Sequence, residues 1–478
     1  LLHLLSMKKI IVLALTLSVL VLSGCERRQA PAAPGETAAN GITTLSLWTT
    51  AEPRFFESLG REFATSIGAS NLRFNIVTFE EDIEMQQVLV NALSEGLGPD
   101  IVFTKGEWMA RNPRKLRMAE TTSGFTPENF RNTFVQSAND ALLVGDTGIL
   151  GAPMAVDSLA LIFNDEHITD RLLDRNTPAT TWEGIREDAA VLTKKDNSFE
   201  RFAVSGIALG RTDNINYGAE IIENIMLQSG VEFFDPSGTL ATFDSSETVI
   251  DGGRTVNAGV EAVNFYTSFA DERYKNNSWN ASLAESTGFD KDLKTFASGK
   301  TSMVIAKAQD LPRLQAIITE LESSNQEVID DQNVRVAFLP QVEDPSISPN
   351  RRVVGSVSAL AVTRNSQYPD TAWRFLRFAI QKDNLQKWHE ETLMPSPRLD
   401  LLLEQEQVPL VGIYVRQAKF ARANLMPIPK DIFYEALKPG IESINSGRMS
   451  SERALETSAF AVTKILQREV ARNKSIER

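Results

Sequence analysis

Cysteine is almost missing from this chain: Cys25 is the single one in 478 residues. One thiol makes neither an internal disulfide nor a cysteine-based zinc cluster. Histidine is nearly as scarce, with only His3, His167 and His389. A histidine-rich metal site or a Ser-His-Asp triad would have to rest on His167 or His389, and the expectation is no metal, no cofactor and no catalytic residue. Basic charge is in deficit as well, since 49 Lys and Arg against 62 Asp and Glu leave a formal net charge of −13. A surface of that sign repels polyphosphate backbones, which argues against nucleic acid as a partner. Beyond the N-terminal region no segment has the roughly 18 consecutive apolar residues of a membrane-spanning helix. What is present, 42% hydrophobic and 23% charged residues, is the balance of a globular protein long enough for two or three domains.

The N-terminal region has an organisation of its own. Met7 reads as the start, followed by Lys8 and Lys9 and by an apolar run from Ile10 to Leu22. As a helix that run rises about 20 Å, short of the ~30 Å hydrocarbon core, so it reads as a secretory signal over 1–24 (7–24 proper) and not as a permanent span. It ends in Leu22-Ser23-Gly24-Cys25, which resembles the bacterial lipobox, and the lone cysteine stands where such a signal is cut and lipidated. The implied location is exported, held in a membrane by a lipid on Cys25 and facing the periplasm or the extracellular side. Residues 25–41 (CERRQAPAAPGETAANG) lack aromatics and are rich in Ala, Pro and Gly, the composition of a flexible tether.

Past the tether the periodicity alternates. Thr43–Trp48 reads as a strand, and Glu52-Pro53 opens a helix with Phe55, Phe56, Leu59 and Phe63 on one face. Leu72–Val77 reads as a strand, Asp82–Glu95 as a helix closed by Gly96-Leu97-Gly98-Pro99, and Asp100–Phe103 as a third strand. Strand and helix in this order imply parallel pairing and an α/β class. Leu159–Phe163, Thr301–Ile305, Val334–Phe338 and Ser358–Val362 continue the strands, and the tail from Asp370 reads as mainly helical. A helix over Thr181–Leu192 begins with Thr180-Thr181-Trp182-Glu183, which fits a capping box of Thr hydroxyl and Glu carboxylate.

Several phrases, in this order, resemble the extracellular solute-binding proteins of ABC importers, in particular the sugar-binding branch. They are Leu45-Ser46-Leu47-Trp48 with its aromatic helix, Gly98-Pro99-Asp100-Ile101-Val102, the phrase 151–164 (GAPMAVDSLALIFN), Thr177-Pro178 through Trp182-Glu183, the phrase 296–303 (FASGKTSM), and Gly355 (GSVSALAV) into the helix around Trp373. The resemblance implies a two-lobe periplasmic-binding-protein fold of type II, with the ligand in a cleft between α/β lobes. Carried over, one lobe holds 42–156 and 341–394 and the other 157–340 and 395–478. It implies a monomer that hands a small hydrophilic solute, a sugar or oligosaccharide, to the membrane-spanning permease subunits. The family often has Gly-x-Trp after Met303, but Val304–Asp310 reads VIAKAQD here, which puts maltose-like stacking in doubt and favours a more polar or charged ligand.

Sugar sites combine aromatic faces with side chains that bond hydroxyls. Candidates at strand ends and hinge phrases are Trp48, Thr49, Thr104, Glu107, Trp108, Asp157, Trp279, Gln309, Gly355 and Tyr434. Trp182 and Trp388 read as packing residues, and Glu80-Glu81-Asp82 as a charge run at a helix start. The rival from another class is a secreted lipoprotein enzyme, a glycoside hydrolase with two carboxylates about 5–9.5 Å apart. With 62 acidic residues the sequence offers many such pairs, but no hydrolase signature and no phosphate-cradling Gly-Lys-Ser loop. A further rival is a surface protein that binds a partner protein or a cell-wall polymer.

Overall fold

A computed structural model describes residues 41–120, 125–196, 202–250, 254–285, 288, 290–346 and 350–476. The signal run, Cys25 and the tether as far as residue 40 lie outside the described residues. With labels given only to the elements used below, the chain runs β1 (Thr43–Thr49), α1 (Pro53–Ser66), β2 (Leu72–Thr78), α2 (Asp82–Ser94), β3 (Ile101–Lys105), α3 (Gly106–Arg111), β4 (Ala152–Ser158) and β5 (Ala160–Asn164). It continues through α4 (Trp182–Leu192), α5 (Gly218–Gln228), β6 (Met303–Ala306), α6 (Leu311–Ser323), β7 (Val334–Ala337) and β8 (Val353–Val362). The last part is α7 (Pro369–Ala379), α8 (Lys382–Thr392), α9 (Val411–Ala418), β9 (Ala421–Arg422), α10 (Lys430–Asn445) and α11 (Ser451–Ile476).

β1 lies between β2 and β3 and is parallel to both, as the alternation of strand and helix requires. Pro53 opens α1, where a missing amide hydrogen costs nothing, and Phe55, Phe56, Leu59 and Phe63 are buried along one face. Gly96 and Gly98 follow α2 with φ of 76° and 113°, values open to glycine without a Cβ clash. Phe63 and Phe375 of α7 meet with ring centroids 5.5 Å apart, and Phe55 meets Trp388 of α8 at 4.7 Å. Each such ring buries on the order of 150–250 Å², so this aromatic layer dominates the core of the first lobe.

Beyond these strands the expected parallel pairing holds only where the short β9 meets β8. β8 is antiparallel to β3 and to β4, and β5 is antiparallel to β6 on one side and β7 on the other. The alternation β6–α6–β7 still makes two strands of one direction, but β5 inserts between them. Periodicity sets the direction of successive strands, not which strands become neighbours. The capping expectation is also corrected in part. Thr181 caps α4 by accepting from the Gly184 amide at 3.1 Å. Glu183 then stands one position too early to reach back, and it pairs with Arg186 instead.

Two larger sheets result, one of β1–β4, β8 and β9 and one of β5–β7, beside three two-stranded ones among the described residues. Leu159 alone separates β4 from β5, so the first passage between sheets is very short. The second passage leaves β7 after Ala337 and enters β8 at Val353. After α8 the chain stays near the first sheet: the Val156 amide donates to Pro395 O at 3.0 Å, and β9 pairs with β8. α10 and α11 then pack together at the end of the chain.

Candidate functional site

The carboxyl ends of parallel strands are where open α/β sheets bind ligands. In this fold the ends of β1 and β3 face the loop that follows β6. A cavity of about 320 Å³ lies there, lined by Thr50, Asp82, Phe103, Thr104 and Lys105, with Ser358 of β8, Trp388 of α8 and Gln309 from beyond β6. Thr104 accepts a hydrogen bond from Gln86 at 3.1 Å, and the Lys105 ammonium donates to Ser358 at 3.2 Å. Thr50 donates to Asp82 at 3.2 Å. Asp82 is thus a helix-start acid, as its charge run implies, and a wall of the cavity too.

Gln309 is tied to an ionic network whose members do not themselves line the cavity. Lys307 pairs with Glu220 of α5 at 2.8 Å and lies 4.9 Å from the Tyr217 ring centroid. Burial works against the charge on Lys307, but Glu220 and Asp157 outweigh it and hold its pKa above the ordinary value. Tyr217 donates to Asp310 at 3.1 Å and accepts from the Gln309 side chain at 3.3 Å. Glu223 of α5 receives Lys430 at 2.9 Å, Asn424 at 2.7 Å and the Tyr434 hydroxyl.

Asp157 is bound to the same loop. Its carboxylate accepts from the backbone amides of Ala308 at 3.0 Å, Gln309 at 3.2 Å and Ser158 at 2.8 Å. Burial pushes its pKa up to about 6 against the pull of Lys307 and those amides. Asp157 therefore holds the loop that carries Gln309.

The other candidates separate by place. Thr104 and Gln309 line the cavity, and Glu107 and Tyr434 do not. Trp48 is 1% exposed and packs on Phe79, with centroids 5.2 Å apart. Thr49 is fully buried and accepts from the Ala51 amide. Trp108 is buried on α3. Trp279 is buried inside the second lobe, donating to Asn214 at 3.0 Å. Gly355 is bare because a Cβ there would lie 3.0 Å from the Ala421 Cβ and 3.1 Å from that of Ser137, a packing demand of β8. The sequence reading missed Lys105, Ser358, Glu220, Glu223 and Lys430, and took Trp388 for core alone. For Lys105 the signal was available, because it ends a parallel strand beside Thr104. The rest depend on pairings distant in sequence.

His167, one of the two histidines open to catalysis, lies 3.0 Å from the Ser302 hydroxyl, but Ser302 is fully buried. Burial, with Arg171 and Lys194, lowers the pKa of His167 to about 4.

Asp292, on the helix Lys291–Ala297, carries a testable pH effect. One carboxylate oxygen accepts from the Leu293 amide at 3.2 Å and the other has no partner. Burial pushes its pKa from 3.8 to about 7 although its backbone hydrogen bonds pull down. Between those two values the native state holds a proton the unfolded chain has released. Stability therefore falls as pH rises through the window and returns on acidification. Going from pH ~8 to ~6 should add roughly 1.4 kcal/mol from this group. The urea midpoint should rise accordingly, and Asp292→Asn should remove that increment. A pH dependence unchanged in the variant would assign it elsewhere.

With the geometry in place, the chain can be set beside known proteins. The sequence model of a family described as bacterial extracellular solute-binding protein matches residues 62–408. Curated binding proteins of Brucella abortus and Brucella suis are 22% identical over 426 residues, covering 87% of this chain and 90% of theirs. Among solved structures, the sugar-binding protein MalE of Xanthomonas citri is 14% identical with a TM-score of 0.71, over 90% of this chain and 99% of that one. A cyclo/maltodextrin-binding protein complexed with maltotetraose is 19% identical with a TM-score of 0.67, over 89% and 97% of the two chains. An ABC transporter solute-binding protein from Thermotoga lettingae bound with α-D-tagatose is 20% identical with a TM-score of 0.64, over 88% and 99%.

Proposed function

The chain belongs to the bacterial extracellular solute-binding proteins, and from that premise we propose that it captures a small sugar between its lobes and presents it to an ABC importer. The observation that carries this reading is the cavity at the ends of β1 and β3, where Phe103 and Trp388 stand beside Thr104 and Lys105 on one side and Gln309 on the other. Its volume, about 320 Å³, falls at the small end of the ~300–1,000 Å³ of ligand pockets. One or two sugar rings suit it better than a long oligosaccharide. The sugars bound by the structural neighbours support the same class.

Binding at micromolar concentration needs about −8 kcal/mol, and one hydrogen bond nets only about 0.5–1.5 kcal/mol. Thr104 and Lys105 alone do not reach that sum. The solute therefore closes the lobes on itself, recruiting Gln309 and the network tied to it, by the hinge motion known for periplasmic binding proteins. The same reading assigns ligand contact to Thr104 and Gln309, and an anchoring lipid to Cys25. The protein works by binding, without turnover.

The test is a thermal-shift and calorimetric screen of mono- and disaccharides, followed by X-ray scattering. A true ligand at 100 times its Kd should add roughly 2.7 kcal/mol of stability and shrink the radius of gyration, with the sugar recovered intact. Appreciable hydrolysis, or an unchanged radius at saturation, would reject the proposal.

A further inference from the structure

Three charged side chains line the cavity, Glu52, Asp82 and Lys105, and only two of them are answered. Glu52 stands largely in solvent and pairs with Arg54 at 3.7 Å. Asp82 is the first residue of α2, where a helix end favours an anion, and it receives the Thr50 hydroxyl at 3.2 Å. Lys105, the last residue of β3, has no carboxylate. Among the described residues its ammonium meets a single partner, the neutral Ser358 hydroxyl at 3.2 Å.

The neighbours of Lys105 are donors as well. Ser358 stands opposite Lys105 in the antiparallel register of β3 and β8. Its oxygen takes the ammonium, and its own proton has no acceptor among the described residues. Thr104, 1% exposed, accepts from Gln86 at 3.1 Å, and its hydroxyl proton likewise has no acceptor among them. All three side chains line the cavity. Two hydroxyl protons and the remaining hydrogens of the ammonium thus make a donor wall with one positive charge, in a chain whose formal net charge is −13.

We infer that the solute is a sugar acid and that Lys105 receives its carboxylate, with Ser358 and Thr104 donating beside it. This rests on the reading of the cavity as the sugar site and names the chemical class within it. An ionised carboxylate only accepts hydrogen bonds, so it suits a wall made of donors. A neutral sugar hydroxyl would accept one of these bonds but leave the ammonium without a counter-charge, and matched charge is what separates one partner from a near-identical neutral one. A phosphate monoester, at about −1.5 to −2 charge, would exceed the single cation and meet repulsion from Asp82. A carboxylate matches Lys105 charge for charge.

The experiment is titration calorimetry at neutral pH on the purified chain with matched sets: glucuronate and glucose, galacturonate and galactose, mannuronate and mannose, with the 6-phosphates of the same hexoses. At least one uronate should bind about tenfold more tightly than its neutral parent. Lys105→Gln, which removes the charge and keeps a donor, should erase that margin, and Lys105→Arg should keep most of it. Circular dichroism melts check that both variants fold, and the wild-type comparison decides the chemical class even where one does not. Neutral sugars binding as tightly as their uronates, or a hexose phosphate binding more tightly than the uronate, would overturn the inference while leaving sugar capture intact. So would a folded Lys105→Gln protein that keeps the full margin. If no member of the panel binds, the inference falls, and the wider screen of mono- and disaccharides judges sugar capture by itself.

Discussion

Gln417→Ala should lower the folding stability by on the order of 3–5 kcal/mol, at the upper end for single substitutions. Gln417, on α9, has no exposed surface. Its amide nitrogen donates to the Ser158 hydroxyl and to the Leu159 carbonyl, both at 2.7 Å. Its amide oxygen accepts from the Leu339 backbone at 2.9 Å. Alanine would leave all three groups buried and unsatisfied, each at about 1–3 kcal/mol. The urea midpoint reads the loss directly, and a variant with the wild-type midpoint would refute the assignment.

The functional consequence is the more telling one. Ser158 and Leu159 lie at the first passage between sheets, and Leu339 lies in the second. One side chain thus ties both crossings together. A hinge closes along a defined path when its strands move as a unit, and hinges are a few residues at the ends of elements. Without the tie the two crossings flex separately, and part of the binding free energy goes into ordering them. Solute affinity should therefore fall in Gln417→Ala even though Gln417 is not among the cavity-lining residues. The drop should be larger than for Lys419→Ala, which removes only an exposed pair with Glu406 of the kind worth about 0–1 kcal/mol.

Much of the first lobe was legible because its signals are local. The helical spacing of Phe55, Phe56, Leu59 and Phe63 and the Gly96–Pro99 stop need no distant partner, and the strands expected at Thr43, Leu72 and Asp100 begin within a residue of those places. The insertion of β5 between β6 and β7 was not legible, since adjacency is decided by packing. The cleft divides in the same way. Thr104 follows from standing at the end of β3, where the fold class puts ligands. Glu223 and Lys430 have no local signal, because each becomes meaningful only when α5 and α10 meet. Aromatics were the weakest guide. Successive strand residues point to opposite faces, so a Trp at a strand end reads alike whether it meets solute or core. Trp48 turned inward, whereas Trp388, read as core, packs on Phe55 and lines the cavity as well.

Trp279 is the position where core and cleft readings part most widely, and its removal carries the other large expected effect. The ring is fully buried in the second lobe, its indole donates to Asn214 at 3.0 Å, and its own amide donates to Phe269 O at 3.1 Å. Asn214 in turn donates to the Asn280 carbonyl at 2.9 Å, so the indole anchors the loop before α5 to the segment after residue 278. Trp279→Ala should cost about 3–5 kcal/mol through the cavity it leaves, and more where Asn214 loses its donor. The protein that remains folded should bind solute with unchanged affinity, because the ring is not among the cavity-lining residues. Gln309→Ala should behave in the opposite way, with an unchanged urea midpoint and a weaker Kd, since Gln309 is exposed on the cavity wall. Measuring midpoint and Kd on both variants separates the roles, and a Trp279→Ala protein of normal stability that no longer binds would move the ring into the site.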